Sequence, residues 1–171
     1  CGYPPNWAIM TTDEVESLLV EAGLEEQGVT KLVEEYKQMQ TKFQNGDYSA
    51  VGMHSGRFCE GIRHVLRFEL DNEYRSDDSV REFAMELFDR QDEGDYSTAI
   101  YQHLSNMLHT AWDIRSNRDA AHMNLETAVN KADAKLSVAL CSSMLVELIR
   151  EFAAGDDSID ADRMTDVIEE L

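Results

Sequence analysis

The segment from Asn130 to Ala154 is apolar on most sides when it is drawn as an α-helix. Asn130 is a favourable N-cap residue and Gly155 follows the last apolar position, so a helix is expected between them. A surface helix needs one apolar stripe, whereas a helix that is apolar nearly all round needs neighbours on every side. Its apolar positions are Val138, Leu140, Cys141, Met144, Leu145, Val146, Leu148, Ile149 and Phe152. We therefore expect it to be the central helix of a helical domain.

The rest of the chain is expected to supply the surrounding helices. Apolar residues recur at helical spacing at about residues 11–22, 29–43, 48–70, 79–88 and 98–115. Thr11 with Glu14 and Ser79 with Glu82 have the spacing of capping boxes, so helices are expected to begin there. Ser97 is the expected cap of the last of these segments. No segment of useful length alternates like a strand, and only 2 prolines and 9 glycines interrupt the chain. The predicted fold is all-α, a four-helix up-and-down bundle with accessory short helices.

Three divisions are expected along the chain. Residues 1–27 are expected to form an N-terminal lead-in and a short helix, and residues 28–154 the bundle. Residues 155–171 are expected to form an acidic C-terminal helix. The chain begins with Cys1 rather than Met, which is compatible with a fragment of a longer protein, a processed form or an artificial boundary, and the last of these is favoured.

Charge and cysteine content narrow the classes of protein that fit. The formal net charge is −19, with 34 acidic and 15 basic residues, so any contact with RNA needs a local basic pocket. The three cysteines, Cys1, Cys59 and Cys141, have no paired spacing, so no disulfide framework is expected and a cytoplasmic location is predicted. No apolar run has membrane-spanning length, so no membrane association is expected.

The familiar signatures of cofactor and metal sites are absent from the sequence. It contains no phosphate-binding glycine loop, no Cys-x-x-Cys pair and no His-Glu-x-x-His helix. His54, His64, His103 and His109 do not pair at the spacing of metal ligands. We therefore expect neither a metal nor a cofactor, and interpret these histidines as partly buried or surface residues.

A cluster of cationic and polar residues lies between the last two long helical segments. If the helix continued without a break, Arg115, Arg118, Asp119 and His122 would share one stripe. A polar group on a core-facing or partner-facing stripe is costly unless it has a partner, so this cluster is the candidate functional site. Towards the N-terminus the stripe is apolar, through Ala111, Leu108, Met107, Leu104 and Ile100.

The spacing of arginine and histidine in this cluster is not unusual by itself. An arginine followed by a histidine after four to six residues is expected about once by chance in such a chain. Arg57 and His64 have the same separation as Arg115 and His122, with six residues between them. The pair at Arg57 lies inside a predicted helix and is interpreted as a solvated salt-bridge face. The alternative interpretation of the cluster from Arg115 to His122 is a polar helix junction without a function of its own.

The run from Arg115 to His122 resembles the signature of the HEPN superfamily. Its members are small helical-bundle domains of prokaryotic toxin–antitoxin, abortive-infection and CRISPR-associated systems. The signature is an arginine, usually followed by a polar residue, and a histidine after four to six residues, which Arg115, Ser116 and His122 match. The run from Ser55 to Glu60 is also similar to an early helix of such domains. The likeness of helix order covers about residues 28–154.

The resemblance implies a metal-independent endoribonuclease, in which the 2′-hydroxyl of RNA attacks the adjacent phosphorus. The implied catalytic residues are His122, which would move protons, and Arg115, which would bind phosphate oxygens. Arg118 and Asn117 would bind the substrate. The resemblance also implies a homodimer, and an antitoxin or another protein as partner in toxin–antitoxin or antiviral defence.

Two alternatives to a nuclease remain open from the sequence. One is a non-catalytic HEPN-like helical module that binds a partner protein or a nucleotide, which the net charge of −19 favours. The other is an unrelated helical bundle with a structural role, in which the cluster is only a junction.

Overall fold

The computed structural model describes residues 11–73, 78–117 and 129–153. These residues contain no β-strand, so the prediction of an all-α fold is confirmed for them. The predicted lead-in at residues 1–10 and the predicted acidic helix at 155–171 lie outside the described residues. The described helices are α1 (Thr12–Glu21), α2 (Glu26–Gln44), α3 (Tyr48–Asp71), α4 (Val80–Asp89), a 3₁₀ turn (Arg90–Glu93), a π-helical turn (Ala99–Leu104), α5 (Ser105–Asn117) and α6 (Lys131–Phe152).

Three of these helices begin at the capping residues that the sequence predicts. Thr11, Ser79 and Asn130 each accept a hydrogen bond from the backbone N–H three residues later. In each case the acidic side chain at that position accepts one from the cap's own N–H, which completes a capping box. These three predictions are confirmed, because each of these caps depends only on residues three positions apart in the sequence.

The centre of the fold is shared by α6 and α3. As expected, α6 packs against several helices, namely α1, α2, α3 and α5. However, α3 packs equally widely, against α2, α4, α5 and α6. Part of the α3 surface that lies in these contacts is made of buried small residues, Gly52, Ser55 and Gly56. Small residues let helices approach closely, but they do not stand out in a pattern of apolar side chains.

Two of the three cysteines lie in the described core as free thiols. Cys59 and Cys141 are both fully buried. Burial raises the pKa of the Cys59 thiol well above its usual value, and it raises that of Cys141 to about 12. Both thiols are therefore held in the protonated, unreactive form at neutral pH.

The helix that leads to the candidate cluster begins differently from the prediction. Ser97 does not cap it with its side chain, because its N–H and its hydroxyl donate to the carboxylate of Glu151 on α6, at 3.0 and 2.6 Å. A π-helical turn follows, and the Ser105 hydroxyl donates to the carbonyls of Tyr101 and Gln102 where α5 begins. The start of this helix is thus set by a tertiary contact with α6.

A buried arginine connects α3 to α4. The side chain of Arg67 is 2% exposed and donates to three carboxylates, those of Asp71, Asp78 and Glu86. Its guanidinium also lies over the ring of Phe83, 4.8 Å from the centroid. Because the carboxylates come from both ends of the α3–α4 connection and from α4 itself, this network fixes the two helices together.

Candidate functional site

Arg115 lies in the last turn of α5, at the end of a buried stripe. Ile100, Leu104, Leu108 and Ala111 have no exposed surface, as the sequence predicts. Arg115 continues that stripe and is partly buried. The apolar residues of this stripe belong to the hydrophobic core. No helix in the described ranges is long and apolar enough to span a membrane.

The side chain of Arg115 lies between an aromatic ring and the backbone of α3. Its guanidinium carbon is 4.5 Å from the centroid of the Trp112 ring, in the geometry of a cation–π contact. On the other side lies Gly56. A Cβ atom added to Gly56 would be 2.5 Å from both Cδ and Nε of Arg115, so the arginine occupies the space that a larger residue on α3 would fill.

The Nε atom of Arg115 differs from that of the buried Arg67. The Nε atom of Arg115 is buried and has no hydrogen-bond partner among the residues that the structure describes. In contrast, all three nitrogens of the Arg67 guanidinium donate to carboxylates. A buried N–H without a partner is unfavourable, so the described residues do not hold this nitrogen of Arg115 in an ion-pair network like that of Arg67.

The other predicted site residues fall at or beyond the end of the described helix. Asn117 is the last residue of α5, and its side chain is not among those described. Arg118 and His122 lie outside the described residues. The approach of His122 to Arg115 therefore stays a prediction.

The second Arg–His pair of the same spacing lies on a groove between α2 and α3. Arg57 and His64 both line this groove, which has a volume of about 830 Å³. Arg57 is 56% exposed, as expected for a solvated salt-bridge face, and its nearest carboxylate is Glu35 at 3.8 Å. His64 is only 25% exposed, and its Nε2 lies 2.9 Å from the carboxylate of Glu25 on α2. Each member is thus paired with a carboxylate across the two helices.

The sequence did not predict the role of Glu25. Its carboxylate accepts hydrogen bonds from the N–H groups of Gln27 and Gly28, so it caps α2 although glutamate is not a preferred cap. Burial alone would raise the pKa of Glu25, but the hydrogen bonds from Gly28 and His64 outweigh burial and lower it. In the sequence, only the glycine at position 28 hints at this close contact between α2 and α3. In the structure, a Cβ atom at Gly28 would be 2.6 Å from the His64 ring.

The lowered pKa of Glu25 predicts a contribution to acid sensitivity. The pKa of Glu25 is lower in the folded protein than in the unfolded chain, so its stabilisation is complete above the ordinary value of about 4.3. It is lost as the pH falls through the lowered folded value. We expect Glu25→Gln to reduce the fall in the free energy of unfolding between about pH 5 and pH 2, measured by urea unfolding.

Glu26→Gln is the matched control for this experiment, because Glu26 carries the same charge at an exposed position in the same helical turn. It should leave the pH dependence of stability close to that of the wild type. If the free energy of unfolding depends on pH in the same way in the Glu25→Gln variant and in the wild type, the stabilising role of the Glu25 carboxylate is contradicted.

The described residues give no sign of a metal centre. They contain no group of three or more His, Cys, Asp or Glu side chains placed to hold an ion.

Comparison with known proteins gave no relative to guide the assignment. No family model, no curated protein and no solved structure matches the chain. The function must therefore be argued from the residues themselves.

Proposed function

We propose that this protein is a HEPN-like, metal-independent endoribonuclease in which Arg115 and His122 are the catalytic pair. The main support for the proposal is the setting of Arg115, a partly buried arginine at the end of α5 whose side chain is held between Trp112 and Gly56. The proposal includes the four-helix up-and-down arrangement, a cytoplasmic homodimer, and a role in prokaryotic defence or in a toxin–antitoxin system.

The guanidinium of Arg115 suits the recognition of a reacting phosphate. Its planar fork can donate two hydrogen bonds to phosphate oxygens, and its charge stabilises the negative charge that develops on the phosphorane. Trp112 and Gly56 fix the middle of the side chain, so little ordering is left to occur when RNA binds.

His122 supplies the proton chemistry in this proposal. An imidazole titrates near neutral pH, so it can accept the proton of the 2′-hydroxyl or donate one to the leaving 5′-oxygen. Arg118 binds a neighbouring phosphate, and Asn117 contacts the sugar or the backbone of the RNA. The 2′-hydroxyl is the nucleophile, so the reaction needs no metal-bound water. In a homodimer two such pairs would face one RNA groove.

The charge of the whole chain favours a second candidate function. With a net charge of −19, the protein repels RNA at long range, and RNA would have to be drawn in by the few cations near Arg115. The same charge is compatible with a non-catalytic HEPN-like module that binds a partner protein such as an antitoxin. If the wild-type protein binds a partner protein but does not cleave RNA, this second function is favoured.

Cleavage of RNA in excess EDTA tests the proposed function. We expect the wild-type protein to cut RNA without a divalent metal, and His122→Gln to reduce the rate about 10²- to 10⁴-fold because general acid–base catalysis is lost. His64→Gln is the matched control, since His64 belongs to the other Arg–His pair and glutamine can still donate to Glu25. It should cleave at the wild-type rate.

Two outcomes would contradict the nuclease proposal. One is cleavage that survives in the His122→Gln variant. The other is no cleavage by folded wild-type protein on structured and single-stranded RNA alike.

A further inference from the structure

We infer that Gly56 is a positioning residue for Arg115, because its missing side chain opens the space on α3 in which the arginine lies. This inference rests on the proposed function and identifies a residue of α3 that sets the geometry of the site on α5.

The backbone of α3 does not require glycine at position 56. Gly23, Gly46 and Gly94 have positive φ angles, which favour glycine, whereas Gly56 lies within the regular helix α3. Inside a helix, glycine is less favourable than alanine, since it loses more conformational freedom on folding. A reason other than backbone conformation must therefore account for glycine at this position.

The contacts of Gly56 supply that reason. A Cβ atom there would be 2.5 Å from Cδ and Nε and 3.1 Å from Cγ of Arg115, and these are the nearest atoms that it would meet. All of them belong to one side chain. Because a side chain moves more easily than a helix backbone, a methyl group at position 56 should displace Arg115 and leave α3 in place.

Two other helical glycines have a different environment. At Gly61 the Cβ would meet Leu32, at 3.1 Å from its nearest side-chain atom, and at Gly28 it would meet His64, Glu25 and Val65. These glycines allow α2 and α3 to pack closely. Gly56 also lies on the buried small-residue surface of α3, but the three atoms nearest to its Cβ position all belong to Arg115. The three substitutions to alanine should therefore have distinct consequences.

Confinement between Gly56 and Trp112 orders the arginine before substrate arrives. The guanidinium carbon lies over the Trp112 ring, while Cγ, Cδ and Nε lie against α3. The rotamer freedom of a long side chain is then lost on folding and not on binding, which is the basis of preorganisation. A displacement of about 1 Å at a catalytic group is enough to reduce a rate about 100-fold.

The test compares Gly56→Ala with Gly61→Ala, a matched substitution on the same helix. We expect Gly56→Ala to lower kcat for RNA cleavage in EDTA about 100-fold, with a much smaller change in KM, while Gly61→Ala keeps the wild-type kcat. Thermal unfolding should show that Gly56→Ala is as stable as the wild type or more so, since alanine favours the helix. In an Arg115→Ala background, Gly56→Ala should cause no further loss, because its effect acts through the arginine.

A spectroscopic readout follows the position of the arginine without relying on activity. The Nε–H of Arg115 should exchange slowly with water in the wild type, as expected for a buried group, and faster in Gly56→Ala. Wild-type kcat or wild-type exchange in Gly56→Ala would overturn the inference and leave the nuclease proposal standing. The inference would also be overturned if Gly56→Ala lowered kcat as much in the Arg115→Ala variant as it does in the wild type. If the wild-type protein cleaves no RNA, the proposed function fails and this inference fails with it.

Discussion

Replacement of Arg67 by methionine is expected to lower the free energy of unfolding by about 3–5 kcal/mol. The arginine forms a bidentate pair with Glu86, at 2.8 and 2.5 Å, and further hydrogen bonds to Asp71 and Asp78. Hydrogen bonds to these carboxylates, with Glu86 first, outweigh burial and raise the pKa of Arg67. Asp71 and Asp78 retain Arg90 and Arg63 as neighbours, so most of the loss arises from the broken link between α3 and α4.

Urea unfolding of Arg67→Met and of Arg150→Met measures this effect. Arg150 is 52% exposed and pairs with Glu147 at 3.3 Å within one helix, so its removal should cost about 0–1 kcal/mol. The midpoint should shift in Arg67→Met while the slope stays unchanged. A loss below about 1 kcal/mol in Arg67→Met would show that the network adds little to folding.

Replacement of Arg115 by alanine is expected to reduce kcat for RNA cleavage about 10²- to 10³-fold, the usual effect of removing one donor to a developing oxyanion. Arg115→Lys should recover only part of the rate, because an ammonium keeps the charge but lacks the planar fork. Folding should survive both changes, since a cation–π contact such as that with Trp112 contributes about 0.5–2 kcal/mol between exposed and desolvated sites.

Arg57→Ala is the matched control for the arginine substitutions. Arg57 has the same spacing to a histidine as Arg115, but it is 56% exposed and lies on α3 near Glu35. Its removal should leave kcat at the wild-type value. An equal loss of kcat in Arg57→Ala and Arg115→Ala would contradict the assignment of the site to the end of α5.

The helices could be predicted from the sequence largely because their signals are local. The capping boxes at Thr11, Ser79 and Asn130 involve residues three positions apart, and each is present. The apolar spacing predicts that α2 begins near residue 29, whereas the helix begins at Glu26. Glu25 caps it there while it is held by His64, 39 residues away. Such a cap requires two helices to be packed together.

The candidate site shows the same division between local and tertiary information. The apolar spacing from Ile100 to Ala111 predicted that the stripe leading to Arg115 would be buried, and it is. The contact between Arg115 and Gly56 depends on how closely α3 and α5 approach, which no periodicity in the chain reveals. Likewise, Arg57 and Arg115 are equivalent by spacing, and only packing separates an exposed side chain from one lying against α3.

The chemistry of the cleaved ends distinguishes attack by the 2′-hydroxyl from attack by water. The wild-type protein should be incubated in EDTA with two matched oligonucleotides, one all-RNA and one with a single 2′-deoxynucleotide at the mapped cleavage position. Attack by the 2′-hydroxyl predicts 2′,3′-cyclic phosphate and 5′-hydroxyl ends on the first substrate and no cut at that position in the second. Cleavage of the deoxy-substituted position, products with 3′-hydroxyl ends, or a rate abolished by EDTA would contradict the account.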